Sequence, residues 1–186
     1  MGGSLLYDEI LEVYSKHPEY ANINTFIETG TYKGDTIRSM SKYFDKLYTF
    51  EIHPGLYIES KQKTIDNGIT NINHLLGDSV ELLLYTNNTY NLKNTKCFFF
   101  LDAHISGADS AYCTKYMVPL IEELKVIAQE YLAPIIICVD DARFFTNGPG
   151  NPSDWSHISI GKIKDIFSSR LVDSYLWNDR FWVFIE

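Results

Sequence analysis

Two short segments, CFFFLD (Cys97 to Asp102) and IIICVDD (Ile135 to Asp141), are apolar at every position until each ends in acid. A strand that is apolar on both faces can be buried only in a sheet that is covered on both sides. Such sheets are mostly parallel and are flanked by helices, and the rest of the sequence supplies the helices. Leu5, Leu6, Ile10, Leu11 and Tyr14 recur at helical spacing and predict an amphipathic helix within residues 1–20. Asn24 to Ile27 reads as a strand, and Asp35 and Thr36 open a helix with Ile37, Met40, Tyr43 and Phe44 on one side. A strand from Lys46 to Phe50 ends at Glu51, and a helix follows Pro54 to about Asn67. Ile72 to Leu76 is a third strand, with Ser79 as a cap for a short helix through Leu84 and an Asn- and Thr-rich loop from Tyr85 to Thr95. Pro119 opens a helix bearing Leu120, Leu124 and Ile127, and a further helix runs from Ile158 to Phe167. The chain ends in two strands, Leu171 to Trp177 and Phe181 to Ile185, with Asn178-Asp179 as a hairpin turn. The expected fold is α/β, a doubly wound and mostly parallel sheet with one antiparallel edge, built as a single domain over residues 1–186.

Composition narrows the partners. Asp and Glu number 24 against 16 Lys and Arg, a formal net charge of -8. No basic run stands out, so no nucleic acid is expected as a partner. The three cysteines lack metal-binding spacing, and Cys97 and Cys138 sit in apolar runs, which points to a reducing setting, cytoplasmic or another reducing intracellular compartment. No apolar run is long enough for a membrane span, and MGGSLLYDEI does not read as a signal peptide.

In a doubly wound sheet, ligands bind beyond the carboxyl ends of the strands. Acids stand at each of those ends here: Glu28, Glu51, Asp78, Asp102 and the pair Asp140-Asp141. Glu28, Gly30, Thr31 and Gly34 form the turn after the first strand, where the glycines serve either a tight turn or a close approach to a ligand. Glu51 is suited to accept hydrogen bonds from ribose hydroxyls. Asp78, with Gly77 beside it, is suited either to an adenine amino group or to capping the following helix. The G-x-G-x-x-G fingerprint of dinucleotide sites is absent. A cationic adenosyl cofactor without phosphates suits this acidic rim better than NAD.

Asp102, Asp140 and Asp141 end two neighbouring strands and would repel one another if empty, so a hard cation such as Mg²⁺ is expected among them. The acid pair has two other uses, capping the next loop or pairing with Arg143. His104 lies two positions past Asp102, as a general base or as a loop histidine bonded to backbone. Arg143 can orient an acidic group or pin the acid pair. Tyr112, Tyr116, Phe144, Phe145 and Trp155 lie in the flanking loops, as an aromatic wall for a sugar ring or as a homodimer contact.

Three segments in order carry a resemblance: Glu28-Thr29-Gly30-Thr31 with Gly34, Leu101 to His104 with Ser106-Gly107, and Val139 to Arg143. Together they resemble class I S-adenosylmethionine-dependent methyltransferases. The resemblance implies a seven-stranded sheet of order 3-2-1-4-5-7-6 with the seventh strand antiparallel, and methyl transfer by in-line displacement. It implies that Glu28, Gly30 and Gly34 form the first cofactor motif, that Glu51 binds ribose, and that Asp78 lies on the adenine side; Thr31 and Gly77 beside them are cofactor-binding candidates by position. Thr29 and Thr31 around Gly30 depart from the commonest glycine pattern. The acids after the fourth and fifth strands are similar to those of metal-dependent sugar and catechol O-methyltransferases, which implies Asp102, Asp140 and Asp141 as ligands; His104 and Asp102, at the same rim, are the catalytic candidates by position. The function expected is O-methylation of a small hydroxylated substrate, a sugar or glycan unit. The alternative is a catalytically inactive relative that serves as a binding or scaffold protein.

Overall fold

The computed structural model describes residues 4–104, 117–145 and 154–186. Strands and helices alternate as α1 (Tyr7–Lys16), β1 (Thr25–Thr29), α2 (Asp35–Met40), β2 (Lys46–Glu51), α3 (Pro54–Asp66), β3 (Ile72–Leu76), α4 (Ser79–Tyr90), β4 (Cys97–Leu101), α5 (Leu120–Glu130), β5 (Ile135–Val139), α6 (Ile160–Ile166), β6 (Leu171–Trp177) and β7 (Arg180–Ile185). The seven strands form one sheet in the order β3-β2-β1-β4-β5-β7-β6. The pairings from β3 through β5 are parallel, and β7 runs antiparallel to both β5 and β6. Among the described residues, no helix is long and apolar enough to cross a membrane.

Successive side chains of a strand point to opposite faces, and the core divides accordingly. Phe26, Phe98, Phe100, Ile136, Trp182 and Phe184 face α1 and α2, while Ile27, Phe99, Ile137 and Val183 face α4, α5 and α6. Each fully buried side chain of this size contributes about 1.5–3 kcal/mol through loss of water contact. Cys97 and Cys138 are buried free thiols within β4 and β5. The hairpin turn at Asn178 and Asp179 has both residues at positive φ (54° and 61°), the geometry whose twist matches paired strands and which Asn and Asp tolerate.

Several boundaries differ from the sequence expectation. The first strand lies at Thr25–Thr29 and the last begins at Arg180. The Asn- and Thr-rich stretch expected as a loop continues α4 to Tyr90. Its polar residues are used inside: Thr86 and Asn87 are buried, and the Asn87 amide donates to the Glu130 carbonyl at the end of α5. Tertiary contact thus overrides weak helix propensity. The helix ends at Asn91 in the left-handed conformation (φ 56°). Its N-cap is Asp78, not Ser79: the Asp78 carboxylate accepts from Val80 N (2.9 Å) and Glu81 N (3.3 Å). In α1 the inner face is Leu5, Ile10, Val13 and Tyr14, whereas Leu6 and Leu11 are exposed. The later helix is shorter than expected and is capped by the Ser159 hydroxyl.

Phe98 is at the centre of the α1-side core, its ring 5.4 Å from Phe26 and 6.1 Å from Trp182, centroid to centroid. Phe98→Ala is expected to lose about 3–5 kcal/mol of stability in urea unfolding. A loss below about 1 kcal/mol would mean that this layer is not the close-packed one described.

Candidate functional site

The parallel register brings Glu28-Thr29, Glu51 and Gly77-Asp78 to the carboxyl ends of β1, β2 and β3, on one rim. The loop after β1 is fixed by backbone: Gly30 N and Thr31 N both donate to the Phe50 carbonyl, and Gly77 N donates to the Glu51 carbonyl. Gly30 has φ 79°, and a Cβ there would lie 2.4 Å from the Asp102 carbonyl oxygen, so a glycine is what allows the ends of β1 and β4 to meet. Gly34 is different: a Cβ on it would strike Ser60 Oγ in α3 at 2.1 Å, which makes it a packing contact between the loop and α3.

Glu51 is buried, and its carboxylate is held by two loop N–H groups, from Tyr32 (2.7 Å) and His53 (2.8 Å). His53 in turn caps α3 through Nδ1, which accepts from Gly55 N and Leu56 N. Glu28 lies deeper, 1% exposed, and accepts from the Thr49 hydroxyl at 2.5 Å. Thr31 meets the same Thr49 oxygen at 2.5 Å, so Thr31, Thr49 and Glu28 form a chain of buried hydroxyls leading to a buried acid. Burial pushes the Glu28 carboxyl up to about 8, against the Thr49 bond and with help from Glu51. Asp78, the cap of α4, stands at the third strand end.

The second group lies at β4 and β5. Asp102, His104 and Asp141 each offer a donor atom, and these atoms lie within 4.8 Å of one another. His104 Nε2 is 2.7 Å from Asp141 Oδ2, and its Nδ1 is 3.4 Å from Asp102 Oδ1. Asp141 adopts a left-handed backbone (φ 56°), which Asp tolerates better than most non-glycine residues. That turn separates the two neighbouring acids. Asp141 points to His104 and to Arg143 (2.7 Å), while Asp140 points to Arg180 Nε (3.2 Å). Of the three acids expected as ligands, Asp102 and Asp141 share this cluster with His104, while Asp140, the largest charge acting on Asp102, has Arg180 as its ion-pair partner. Desolvation, then Asp140, Asp141 and Glu28, push the Asp102 carboxyl well above the usual range, even though 32% of its side-chain surface stays open. Asp141 moves the other way: burial opposes its charge, but the His104 hydrogen bond and the His104 and Arg143 charges hold its carboxyl below the usual range.

Arg143 also pairs with Asp179 of the hairpin turn and stacks over the Phe144 ring at 4.4 Å. Trp155 and Phe145 are buried; Trp155 sets its ring edge-on to His104 at 5.1 Å and lies 5.8 Å from Phe144. Trp155 thus braces His104. Tyr112, Tyr116, Cys113 and Ser106-Gly107 lie outside the described residues.

No family model matches the chain, and no curated protein matches it at a significant level. Solved structures match over nearly the whole chain. The O-methyltransferase TomG of Streptomyces achromogenes, solved with SAM, superposes with a TM-score of 0.63 at 12% identity, over 98% of this chain and 81% of that one. SMU.1697c of Streptococcus mutans, solved with SAH, gives 0.58 at 15% identity over 94% and 96%. An rRNA methylase of Streptococcus thermophilus gives 0.55 at 15% identity over 94% and 95%. The chain has a class I methyltransferase fold. Its methyltransferase-type strand order matches what the three sequence segments imply.

Within this methyltransferase fold, several residues at the rim escaped the sequence reading. Thr49 looked like one more strand residue, yet it is the hydrogen-bond partner of Glu28. Glu123 of α5 is 1% exposed, and burial pushes its carboxyl up to about 7, opposed by the Ser79 and Thr29 hydroxyls. Glu9 and Arg180 form a buried ion pair at 2.7 Å. The one sequence signal for the last pair was an arginine opening an otherwise apolar strand, since a buried arginine needs a partner.

The folded protein holds the Glu28 proton more tightly than the unfolded chain does. Its contribution to stability therefore falls as pH rises from about 4.5, the ordinary value, to about 8. Glu28→Gln removes this dependence, so the variant should gain on the parent between pH 5 and pH 8 in urea unfolding. A stability difference that is the same at both pH values would contradict a neutral, buried Glu28.

Proposed function

We propose that the protein is an S-adenosylmethionine-dependent O-methyltransferase that acts on a small hydroxylated acceptor, a sugar or glycan unit, with a divalent cation at the β4–β5 rim. The observation that carries the reading is the gathering of carboxylates along one rim, Glu51 and Asp78 on one side and Asp102 with Asp141 and His104 on the other. A cofactor that brings positive charge and no phosphate suits that rim. The likeness to TomG, an O-methyltransferase solved with SAM, and to SMU.1697c, solved with SAH, supports it. The likeness to an rRNA methylase favours a nucleic-acid acceptor instead, but a net charge of -8 opposes binding to a phosphate backbone.

In this reading Glu51 accepts the ribose hydroxyls. Its two backbone donors use one lone pair on each oxygen and leave others for a ligand. Gly30, Gly77 and Thr31 line the cofactor side, Gly34 sets the loop against α3, and Asp78 combines its capping role with the adenine side. Glu28, reached through Thr49, supports the loop from beneath. The cofactor supplies an electrophilic methyl group.

The residues at the β4–β5 rim fit a divalent ion. They offer hard oxygen and imidazole donors within one small space, and a cation there would offset both the burial and the neighbouring acids that disfavour the ionised form of Asp102. A bound Mg²⁺ would supply Lewis acidity that favours the deprotonated acceptor hydroxyl. Asp141 orients His104, as a base is oriented by a third group. His104 would offer one ring nitrogen to such a cation and keep the other on a carboxylate, and it is the residue placed to take the acceptor proton where no cation does so. Arg143 and Phe144, with Trp155 behind His104, form the acceptor side.

Methyl-labelled S-adenosylmethionine, incubated with the protein and a panel of sugars and diols, should yield a labelled ether. Mg²⁺ should raise the rate, and EDTA should lower it. Cofactor bound without transfer to any hydroxyl would replace the enzyme by a binding protein of the same fold. Glu51→Ala should weaken cofactor binding by about tenfold or more, the worth of a charged hydrogen bond. Asp141→Asn should weaken Mg²⁺ binding in calorimetry, and unchanged binding would remove Asp141 from the cation site.

A further inference from the structure

Asp140 is one of the two acids at the end of β5 that the sequence offers as ligands, yet its ion-pair partner is Arg180. It is buried at 4% exposure, and its Oδ1 lies 3.2 Å from Arg180 Nε. Arg180 opens β7, the antiparallel neighbour of β5, and is equally buried. Its Nη1 donates to Glu9 Oε1 of α1 at 2.7 Å. Glu9 is itself fixed: its other oxygen accepts from Leu6 N at 2.9 Å, and the Asn178 amide also donates to Oε1. One guanidinium therefore spans two buried carboxylates from different ends of the chain. Withdrawing either carboxylate would leave a buried charge poorly compensated.

We infer that Arg180, gripped from its other side by Glu9, is a positioning residue that keeps Asp140 out of the cation's ligand set and leaves Asp102, His104 and Asp141 to form it; this rests on the cation reading above. The left-handed turn at Asp141 provides the other half of the arrangement, because it sends neighbouring carboxylates in different directions. A set of two carboxylates and an imidazole carries one negative charge fewer than the three-carboxylate set expected from the sequence. The N-terminal helix is thereby tied to the site through Glu9 and Arg180, although it reaches none of the three donors itself.

The test is calorimetric titration of Mn²⁺ into the full chain, with thermal unfolding measured alongside. Asp140→Asn should weaken Mn²⁺ binding far less than Asp141→Asn does, since it removes a nearby charge but no ligand. Arg180→Lys keeps the positive charge but replaces a two-sided fork by a single point, and so frees Asp140. It should bind Mn²⁺ about threefold more tightly or better, and the gain should vanish in the Arg180→Lys, Asp140→Asn double variant. Asp140→Asn losing Mn²⁺ as severely as Asp141→Asn would overturn the inference and leave the cation reading standing. A lower melting temperature for Arg180→Lys with unchanged affinity would also overturn it, since that is what a purely structural arginine gives. If Arg180→Lys does not fold, the comparison of Asp140→Asn with Asp141→Asn still decides. A parent protein that binds no Mn²⁺ would overturn both the cation reading and this inference.

Discussion

Like charges crowd one rim of a parallel sheet, and most of the local architecture around that rim answers to this. Water cannot screen acids that are held at the ends of buried strands, so each must find a donor, a cation or a proton. The protein uses all three. Glu51 takes two backbone N–H groups, Asp140 takes Arg180, Asp141 takes His104 and Arg143, and Glu28 stays protonated around neutral pH. Asp102 alone of these has its carboxyl driven well up, by burial first and then by its acidic neighbours, while part of its surface remains open. That is where an incoming positive charge would gain most.

The same compensation ties remote parts of the chain to the site. Arg180 connects α1 to the end of β5, and Arg143 connects the loop after β5 to the hairpin turn at Asp179. Both arginines come from or reach the antiparallel β6–β7 end of the sheet. The strands beyond β5 thus do more than close an edge: they set which acids at the rim are free.

Much of this fold was legible because its strands are extreme. CFFFL and IIICV are apolar on both faces, and burial on both faces admits few architectures. The acids at the strand ends were legible too, since nothing in a core requires them. Their directions were not. Asp140 and Asp141 look equivalent in sequence, and only the positive φ at Asp141 and a partner forty residues away separate them. The helix through Asn87 and Tyr90 was hidden because its asparagine and threonine side chains are satisfied by contacts that local composition does not encode. Thr49, Glu9 and Glu123 were hidden for a related reason: a polar residue becomes part of a site by what packs against it. Fold likeness could not fill the gap either, since proteins of this shape include both an O-methyltransferase and an rRNA methylase.

On the proposed reading this acidic rim is a receptor for a cationic adenosyl cofactor. A crystal structure grown with saturating S-adenosylmethionine should then show density across the ends of β1, β2 and β3, with the ribose on the Glu51 carboxylate and the sulfonium end toward Asp102. Density absent from that rim, or an adenosyl group bound on another face of the sheet, would contradict it.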